Sequence, residues 1–485
     1  MIFAPVLVSL LFSLLTLMAG TRMHLVRFLS LMGSVLCFGF GVYIAAMVLT
    51  GGTQSLQFGG WPKSFGISFT VDTLSALLLL VSSLVALCGT IASLATVSLR
   101  WEKKGYYPLY HFLMMGIFGA FSTGDLFNLY VWFEVLLMAS FFLISITKKR
   151  SALSGGFKYA VLNVLSSMLF LVGIAFVYAA SGTLDFARLI QVSLAQGQSA
   201  AMVVGVVFLV VAFSIKAGLF PFFFWLPASY PSAITALAAV FSGLLTKVGV
   251  YALLRVLIPL SAGGSHGILI YLYFAALVSM VLGVLGALSQ DNIKGILSFH
   301  IVSQVGYIVL SFSLGTSFGV AASVFYLLHH IVVKTNLFFS AAYVEKIGGT
   351  LQVSKLGGFW QKNSFLGVMF AISALSLIGI PPLSGFWAKV FTLQSAMGVH
   401  KWGALILCLA VSLFTLMSML KIWLGVFWRP YKIREETEPS LRLKWLMVPL
   451  VVLNLWTLAV GLGAPQIFKI AETVSRELTV KGDIP

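Results

Sequence analysis

Charged side chains are scarce in this sequence: 9% of its 485 residues are charged, whereas 60% are hydrophobic. A soluble domain cannot cover so much apolar surface, so the composition excludes a soluble protein and indicates an integral membrane protein. A helix needs roughly 20 apolar residues to cross a hydrocarbon core of about 30 Å, because its backbone must be hydrogen-bonded internally. The chain therefore predicts an all-α polytopic membrane protein with about 14 transmembrane helices.

Cysteine is also rare, and the three cysteines lie far apart, at Cys37, Cys88 and Cys408. This spacing excludes a disulfide framework or a cysteine metal site, and we expect small buried side chains. We find no nucleophile paired with a base, no glycine-rich phosphate loop and no metal cluster, since GGSHG is too short and lies far from any strand. We therefore expect no cofactor, no metal and no catalytic residue. The N-terminus MIFAPVLVSL lacks the basic region of a signal peptide, so the first span should remain as an anchor.

Hydropathy places the individual spans, with boundaries good to a few residues. They are predicted near residues 3–20, 28–50, 68–97, 107–124, 126–147, 158–180, 201–225, 231–257, 267–288, 296–314, 318–345, 364–397, 402–427 and 445–464. The tail QIFKIAETVSREL has the apolar spacing of an amphipathic helix, which we expect along the outer interface or against a neighbour.

Acidic residues are few, 13 against 30 Lys and Arg, which gives a formal net charge of +17. The basic residues are strung along short loops instead of being gathered into a patch, which argues against nucleic acid and for membrane orientation. When each loop takes the number of the span before it, most of the basic residues fall in odd-numbered loops. The even-numbered loops hold little beyond Lys63, Arg188 and Lys401. The odd-numbered loops should therefore be cytoplasmic, and both termini should lie on the outer side of the cell membrane. The charge-dense loop 429–444, which includes Lys432 and Arg434, is interpreted as a solvated connector.

A few ionisable residues remain deep in apolar segments. A charge at the bilayer centre costs at least ~2.5 kcal/mol, so each of these residues is a functional candidate by default. They are Glu134, Lys216, Lys247, His329, His330, Lys334 and Lys389.

The depth of these residues follows from helix geometry. Glu134 lies nine residues beyond Asp125, which marks the outer end of the fifth span, and is therefore ~13 Å deeper, near the midplane. Lys247 lies eight residues before Arg255, which we expect to snorkel to the outer interface. A histidine at this depth is more often a packed structural residue, but His330 and Lys334 share a helix face at i, i+4 and can exchange a proton.

Prolines interrupt two of the predicted spans. Proline lacks a backbone donor, and a broken helix at membrane depth is tolerated only where it lines a cavity or is buried in protein. KAGLFPFFFWLP contains Pro221 and Pro227 and starts at Lys216, whereas LIGIPPLSGFWAK contains Pro381, Pro382 and Gly385 and ends at Lys389. Breaks in corresponding positions of two halves indicate a transport pathway, although ordinary proline kinks beside incidental lysines would give the same pattern.

The residue types suggest proton transfer. Burial disfavours the charged form of a lysine, and a nearby carboxylate favours it, so Lys216 would hold its proton when Glu134 approaches and release it when the two separate. Lys247, the His330 and Lys334 pair, and Lys389 would continue a series of protonatable groups linked by water.

These segments resemble the antiporter-like family shared by respiratory complex I and Mrp-type cation/proton antiporters, over nearly the whole chain. The resemblance is carried by GDLFNLYVWFEVLLMASFFLI, KAGLFPFFFWLPASYPSAITALAAVFSGLLTKVGVY, DNIKGILSFHIVSQVGY, HHIVVKTNLFF and PPLSGFWAK. FNLYVWFE and the upstream SFTVDTLSALLLL are most similar to the D-type subunits of Mrp antiporters. Complex I homologues usually carry a different aromatic pattern before the glutamate, and often a histidine where this sequence has Phe223.

The resemblance implies 14 spans, two inverted five-helix repeats, broken seventh and twelfth helices, and a proton route through Glu134, Lys216, Lys247 and Lys389. The expected division is an N-terminal three-helix region (1–106), a first repeat (107–257), a second repeat (267–428) and a last span with its tail (445–485). The resemblance also implies partners, namely other subunits of a hetero-oligomer that exchanges sodium or another monovalent cation for protons. Because a hard cation prefers several oxygen ligands and this chain has one mid-membrane carboxylate, we expect sodium to pass elsewhere.

Two other functions stay open from the sequence. One is a proton-pumping subunit of NADH:quinone oxidoreductase or a membrane hydrogenase, whose redox chemistry would belong to partners. The other is a purely structural membrane scaffold. In that case, neutralising Lys247 or Lys389 would leave transport by the complex intact.

Overall fold

A computed structural model describes residues 1–58, 67–196, 199–261, 266–430 and 441–479. Lys63, Lys432 and Arg434, most of the charge-dense loop and part of GGSHG lie outside the described residues. The helices are α1 (Ala4–Met18), α2 (Met23–Gly51), α3 (Thr73–Thr96), α4 (Leu99–Glu102), α5 (Tyr106–Ser122), α6 (Leu126–Ser145), α7 (Arg150–Ser181), α8 (Phe186–Gln196), α9 (Ala200–Ala217), α10 (Trp225–Ser229), α11 (Thr235–Ser261), α12 (His266–Ser289), α13 (Ile293–Ser313), α14 (Ser317–Gly348), α15 (Phe359–Lys362), α16 (Ser364–Ile378), α17 (Ser384–Gly398), α18 (Trp402–Ile422), α19 (Leu441–Lys444), α20 (Met447–Leu462) and α21 (Ala464–Thr479). Short 3₁₀ turns occupy Tyr230–Ser232 and Val353–Lys355, and a π-helical turn, Trp423–Trp428, follows α18.

The helices confirm the prediction of an all-α membrane protein. Within the described residues, eleven helices are long and apolar enough to cross a membrane. The other three predicted spans fall on α1, on α5 and on the interrupted pair α16 and α17. The seventh predicted span, 201–225, is also interrupted, because α9 ends at Ala217 and α10 begins at Trp225.

The start of the third predicted span, 68–97, was wrong. Residues Ser68–Val71 form strand β2, which pairs antiparallel with β1 (Gln54–Gln57). Asp72 then caps α3, its side chain accepting a hydrogen bond from the backbone N–H of Ser75 at 3.0 Å. An N-cap aspartate satisfies one of the first free donors of a helix, so the helix begins at Thr73 and not at residue 68.

The expectation that Arg255 snorkels to the interface was also wrong. Its guanidinium is buried and forms two hydrogen bonds to the Asp72 carboxylate, one of them 2.8 Å long. It also donates to the hydroxyls of Ser75, at 2.8 Å, and Tyr251, at 3.2 Å. A paired guanidinium with these acceptor contacts can stay inside the protein, so Arg255 ties α11 to the start of α3.

Four helices form the centre of the protein. Helices α3, α11, α13 and α14 are buried over most of their circumference, whereas α2, α7, α12 and α18 expose apolar faces. Gly249 on α11 allows the close approach of α9, because a Cβ there would lie 2.5 Å from the backbone nitrogen of Ala217. Polar side chains on the central helices therefore face protein, which is the condition under which a membrane interior tolerates them.

The amphipathic tail forms α21, as its periodicity predicts, but it packs on its own chain. Its apolar side chains Phe468, Ala471, Val474 and Leu478 are buried, and the Ser475 hydroxyl donates to the Ser317 carbonyl at 2.7 Å. Helix α21 packs mainly against α14 and also against α3 and α11. Its apolar face is therefore covered by its own chain, and neither the membrane interface nor a neighbour is needed to cover it.

Candidate functional site

The first helix interruption holds Lys216 at its edge. Helix α9 ends at Ala217 because Gly218 adopts a left-handed conformation, with φ +71°, that L side chains rarely take. The Lys216 Nζ donates to the carbonyl of Asn163 and the hydroxyl of Ser167, both on α7 and both at 3.4 Å. These two bonds are long for a buried ammonium, which leaves it weakly held.

Glu134 lies near this lysine on α6. Its Oε1 atom is buried without a hydrogen-bond partner among the described residues, and the carboxylate acts electrostatically on Lys216. The preceding Phe133 presents its ring 5.5 Å from the Lys216 Nζ, within the range of a cation–π contact. No oxygen of Glu134 lies within ion-pair distance of that nitrogen in the described structure. The two groups are therefore neighbours that do not form a direct ion pair.

Lys247 lies beyond this interruption on α11 and is completely buried. Its Nζ donates to a carbonyl of its own helix, that of Ser242. Within the part of the chain that the structure describes, the adjacent Thr246 hydroxyl is buried and has no hydrogen-bond partner. The Thr246 methyl group lies 3.9 Å from a Cβ built on Gly218, so this residue is close to the end of α9. A buried hydroxyl normally bonds to protein or to water, and Thr246 is thus an unsatisfied polar group between Lys247 and the interruption.

His330 and Lys334 project from the same face of α14, as their spacing predicts. Both are fully buried, and the Lys334 Nζ donates to the Leu297 carbonyl on α13 at 3.1 Å. Neither ring nitrogen of His330 bonds to another described residue. The His330 ring interacts electrostatically with both Lys247 and Lys334, so it connects the charged groups of α11 and α14.

The second interruption surrounds Lys389. Helix α16 ends at Ile378 because the next residue, Gly379, has a φ of +99° that again favours glycine, and α17 begins at Ser384. The Lys389 Nζ donates to the freed carbonyl of Ile378 at 2.7 Å and to the hydroxyl of Ser412 at 3.0 Å. The lysine thus satisfies a carbonyl that the broken helix leaves open.

The two adjacent histidines of α14 face different groups. His329 Nδ1 forms a 2.8 Å hydrogen bond with the Ser384 hydroxyl at the start of α17. Ser384 in turn lies 3.2 Å from the Ser376 hydroxyl on α16. His329 therefore bridges the second interruption, whereas His330 faces the lysines of the centre.

The prolines and glycine predicted at the breaks occupy distinct positions. Pro221 and the pair Pro381 and Pro382 lie in the interruptions themselves. Pro227 lies in the first turn of α10, where its missing N–H is not needed. Gly385 lies in the first turn of α17, where a Cβ would come within 1.7 Å of the Ser376 carbonyl oxygen. It therefore permits the two halves of the helix to pack together.

His300 was not predicted as a site residue. It is completely buried on α13, with Nε2 2.6 Å from the Ser418 hydroxyl, and it interacts electrostatically with Lys334 and Lys389. It therefore lies between the central lysines and the second interruption. A signal was present in the sequence, because Gln304 and Tyr307 follow at i+4 and i+7 and continue a polar stripe along this apolar helix.

Tyrosines complete the second half of the site. The Tyr307 ring lies 5.3 Å from the Lys389 Nζ, and its hydroxyl bonds to the Ser412 hydroxyl at 3.0 Å. Tyr326 stacks on Tyr307 and donates to the Gln304 side chain at 2.5 Å. These contacts connect Lys389 to α13 and α14 through hydroxyl groups.

A cavity of about 520 Å³ opens at one end of the central helices. It is lined by Thr235 of α11, Lys294 of α13 and Glu345 of α14, together with Lys149 and Lys346. The Lys294 Nζ lies 4.0 Å from one Glu345 oxygen, and the Thr235 hydroxyl donates to the other. Lys247 is twelve residues along α11 from Thr235, or ~18 Å deeper. The cavity thus faces the same helices that carry the buried lysines.

The described residues contain no group of three His, Cys, Asp or Glu side chains arranged to hold a metal ion. All three cysteines are buried and free. The site consists instead of single lysines and histidines beside carbonyls and hydroxyls, which is suited to binding and passing protons.

Comparison with known proteins identifies the family of this chain. A transmembrane family described as NADH:quinone oxidoreductase/Mrp antiporter matches residues 123–415. The chain is 40% identical to the D-type subunit of the Na(+)/H(+) antiporter of Alkalihalophilus pseudofirmus OF4, with 90% of this chain and 88% of the relative covered. It is 35% identical to the protein of the same name from Bacillus subtilis strain 168, with 97% and 96% covered. A chain in the solved Mrp complex from Dietzia sp. DQ12-45-1b is 30% identical, with a TM-score of 0.91 and 99% and 97% covered.

Proposed function

This chain belongs to the NADH:quinone oxidoreductase/Mrp antiporter family, and we propose that it is the proton-translocating D-type subunit of a multisubunit Na⁺/H⁺ antiporter. It acts as a transporter subunit and not as an enzyme. Its partners are the other subunits of that hetero-oligomer, and its location is the cell membrane with both termini outside.

One observation supports the proposal: six lysines and histidines are buried among the central helices and the two helix interruptions, namely Lys216, Lys247, His300, His330, Lys334 and Lys389. Glu134 acts electrostatically on Lys216, Lys247 and Lys334 act on His330, and Lys334 and Lys389 act on His300, so we place these groups in one series. The series passes through the elements next to both helix interruptions. Groups of this kind are costly in a membrane and serve proton or ion pathways where they occur.

The Glu134 and Lys216 pair is the switch in the first half. In the described arrangement the carboxylate is close but not ion-paired, and Lys216 is held by two long hydrogen bonds. A shift of α6 or α9 that brings Glu134 into contact would favour the charged lysine, and separation would release the proton. The proton then passes to Lys247, with a water bound by Thr246 as the bridge.

The second half carries the proton onward. His330 lies between Lys247 and Lys334 with its two ring nitrogens unbonded among the described groups, so it can accept a proton at one and donate it from the other. His300 connects Lys334 to Lys389, whose neighbours Ser412 and Tyr307 supply hydroxyls. The cavity around Glu345 gives these groups access to the cytoplasmic side.

Sodium passes through another subunit in this proposal. Glu134 is the mid-membrane carboxylate of the chain, and the other buried candidates are lysines and histidines, which repel a cation or present nitrogen. A hard cation such as Na⁺ prefers several oxygen ligands. The proton carried here is therefore exchanged for sodium bound by a partner.

The test uses vesicles that contain the whole complex. Addition of sodium should dissipate an imposed pH gradient, and Glu134→Ala or Lys216→Ala should abolish this response while the complex still assembles. Lys421→Met is a matched control, because the Lys421 ammonium donates to the carbonyls of Leu288 and Gln290 and not to a group of the series. Retained exchange in assembled Glu134→Ala and Lys216→Ala complexes would reject the proposed route.

The family description also names NADH:quinone oxidoreductase, and a proton-pumping subunit of such a complex is the second candidate function. The proteins that co-purify with the chain distinguish the two. Proteins carrying flavin or iron–sulfur clusters would favour redox-driven pumping, and small membrane subunits alone would favour antiport.

A further inference from the structure

A groove separate from the series of buried groups lies between α2 and α20, over the end of α3. Its walls include Arg27 and Leu31 of α2, Ile91 and Leu94 of α3, and Arg442 and Trp445 at the start of the last span. We call it the α2/α20 groove. It encloses about 420 Å³ and combines an apolar floor with two guanidinium groups at one end.

The charges that the structure describes at this end do not balance. The Glu102 side chain is completely buried and bonds to Arg27, with the shortest contact at 2.5 Å, and to the Tyr107 hydroxyl at 3.0 Å. Arg442 lies 3.6 Å from the same carboxylate. Among the residues that the structure describes here, two guanidinium groups therefore share one carboxylate, which leaves one positive charge. Arg442 keeps 48% of its side chain exposed, so it can bind a second anion.

The apolar floor runs from these charges into the membrane. Leu31 is one turn deeper than Arg27 on α2, and Ile91 is one turn deeper than Ala95 on the antiparallel α3, or ~6 Å in each case. Trp445, which is 62% exposed, stands beside Arg442. Tryptophan prefers the membrane interface, where one end of the ring is apolar and the other is wet.

We propose that the α2/α20 groove binds an anionic phospholipid, whose phosphate contacts Arg442 and Arg27 and whose acyl chain lies along Leu31, Ile91 and Leu94. Guanidinium groups bind phosphate through paired charge-assisted hydrogen bonds. Basic pockets between transmembrane helices on the cytoplasmic side select anionic headgroups in the same way. The excess charge and the apolar floor favour a lipid over a peptide segment.

The proposal is tested on the intact complex. Purified complex is incubated with equal amounts of phosphatidylglycerol and phosphatidylcholine that have the same acyl chains, repurified, and its retained lipid measured by mass spectrometry. The wild type should retain phosphatidylglycerol in preference, and Arg442→Gln should lower the ratio of the two lipids by about threefold or more. Arg100→Gln is the matched control, because Arg100 is an exposed arginine at the same end that stacks on Trp101, 4.9 Å away.

A second variant tests the groove independently of charge. Ala95→Trp fills the floor and should reduce retained phosphatidylglycerol while leaving both arginines in place. Equal retention of the two lipids by the wild type, or an unchanged ratio in Arg442→Gln, would overturn the proposal. So would a cross-link from a Leu31→Cys variant to another subunit, because the occupant would then be a protein.

Discussion

Replacing Lys247 with methionine should stabilise the protein and abolish proton transfer. Lys247 is completely buried, it bonds to one carbonyl of its own helix, and no carboxylate pairs with it in the described structure. Lysine at a helix centre costs ~3 kcal/mol on the insertion scale, whereas methionine has a similar length and no charge. The variant also loses the hydrogen bond to the Ser242 carbonyl, which reduces the stabilisation by about 1 kcal/mol. The net gain expected for Lys247→Met is therefore about 2 kcal/mol.

Two measurements on the same preparation test this. For a chain of this size, about 2 kcal/mol corresponds to a rise of about 2–4 °C in the thermal midpoint of the purified complex. Sodium-driven dissipation of a pH gradient in vesicles should fall to the level of empty vesicles. Lys421→Met is the control: it removes bonds to two carbonyls at the end of α12, so it should lower the midpoint and leave transport unchanged.

The pair of results separates a functional lysine from a structural one. A structural lysine would cost stability when it is removed, and transport would be lost because the complex falls apart. A higher midpoint with transport intact would show that protons do not need Lys247, and the proposed series would then be refuted at its centre.

Three further substitutions test other parts of the protein. Thr246→Val should slow sodium-driven proton movement about tenfold, because it removes the hydroxyl that holds the proposed bridging water. Thr457→Val is the control, because the Thr457 hydroxyl bonds to its own helix. Equal rates in the two variants would contradict the water bridge. Glu345→Gln should slow proton uptake through the cavity that Glu345 lines several-fold, measured as the initial rate of the pH change, because it removes the carboxylate of the cavity; an unchanged initial rate would exclude that access. Burial raises the pKa of Asp125, the N-cap of α6, to about 6, so the folded protein binds this proton more tightly than the unfolded chain and loses stability as pH rises from about 4 through 6. Asp125→Asn keeps the cap and should raise the thermal midpoint at pH 7 but not at pH 4; an equal change at both pH values would exclude titration of this carboxyl.

Much of the fold could be predicted from the sequence, because span formation depends on local properties. Hydropathy over roughly 20 residues decides whether a segment enters the membrane. The two helix interruptions follow from Pro221 and from the pair Pro381 and Pro382, since proline removes a backbone donor wherever the chain places it. The start of the third span could not be placed this way, because the residues before Asp72 pair as a strand.

The candidate site could be predicted only as a set of residue types. Glu134, Lys216 and Lys389 stand out in any apolar segment, because the cost of a charge there is high whatever surrounds it. His300 did not stand out, since its place between Lys334 and Lys389 depends on how α13 packs against α14 and α17. The assignment of these residues to a proton route stays a prediction.

The sequence by itself determined that this chain spans a membrane, where its helices break and which charges lie within its apolar segments, because hydropathy and proline act over short stretches. Only the tertiary structure decided which groups meet. Arg255 bonds to Asp72, α21 packs on α14, and Glu134 lies beside Lys216 without pairing. Each of these contacts joins residues far apart in the chain and depends on the packing of whole helices.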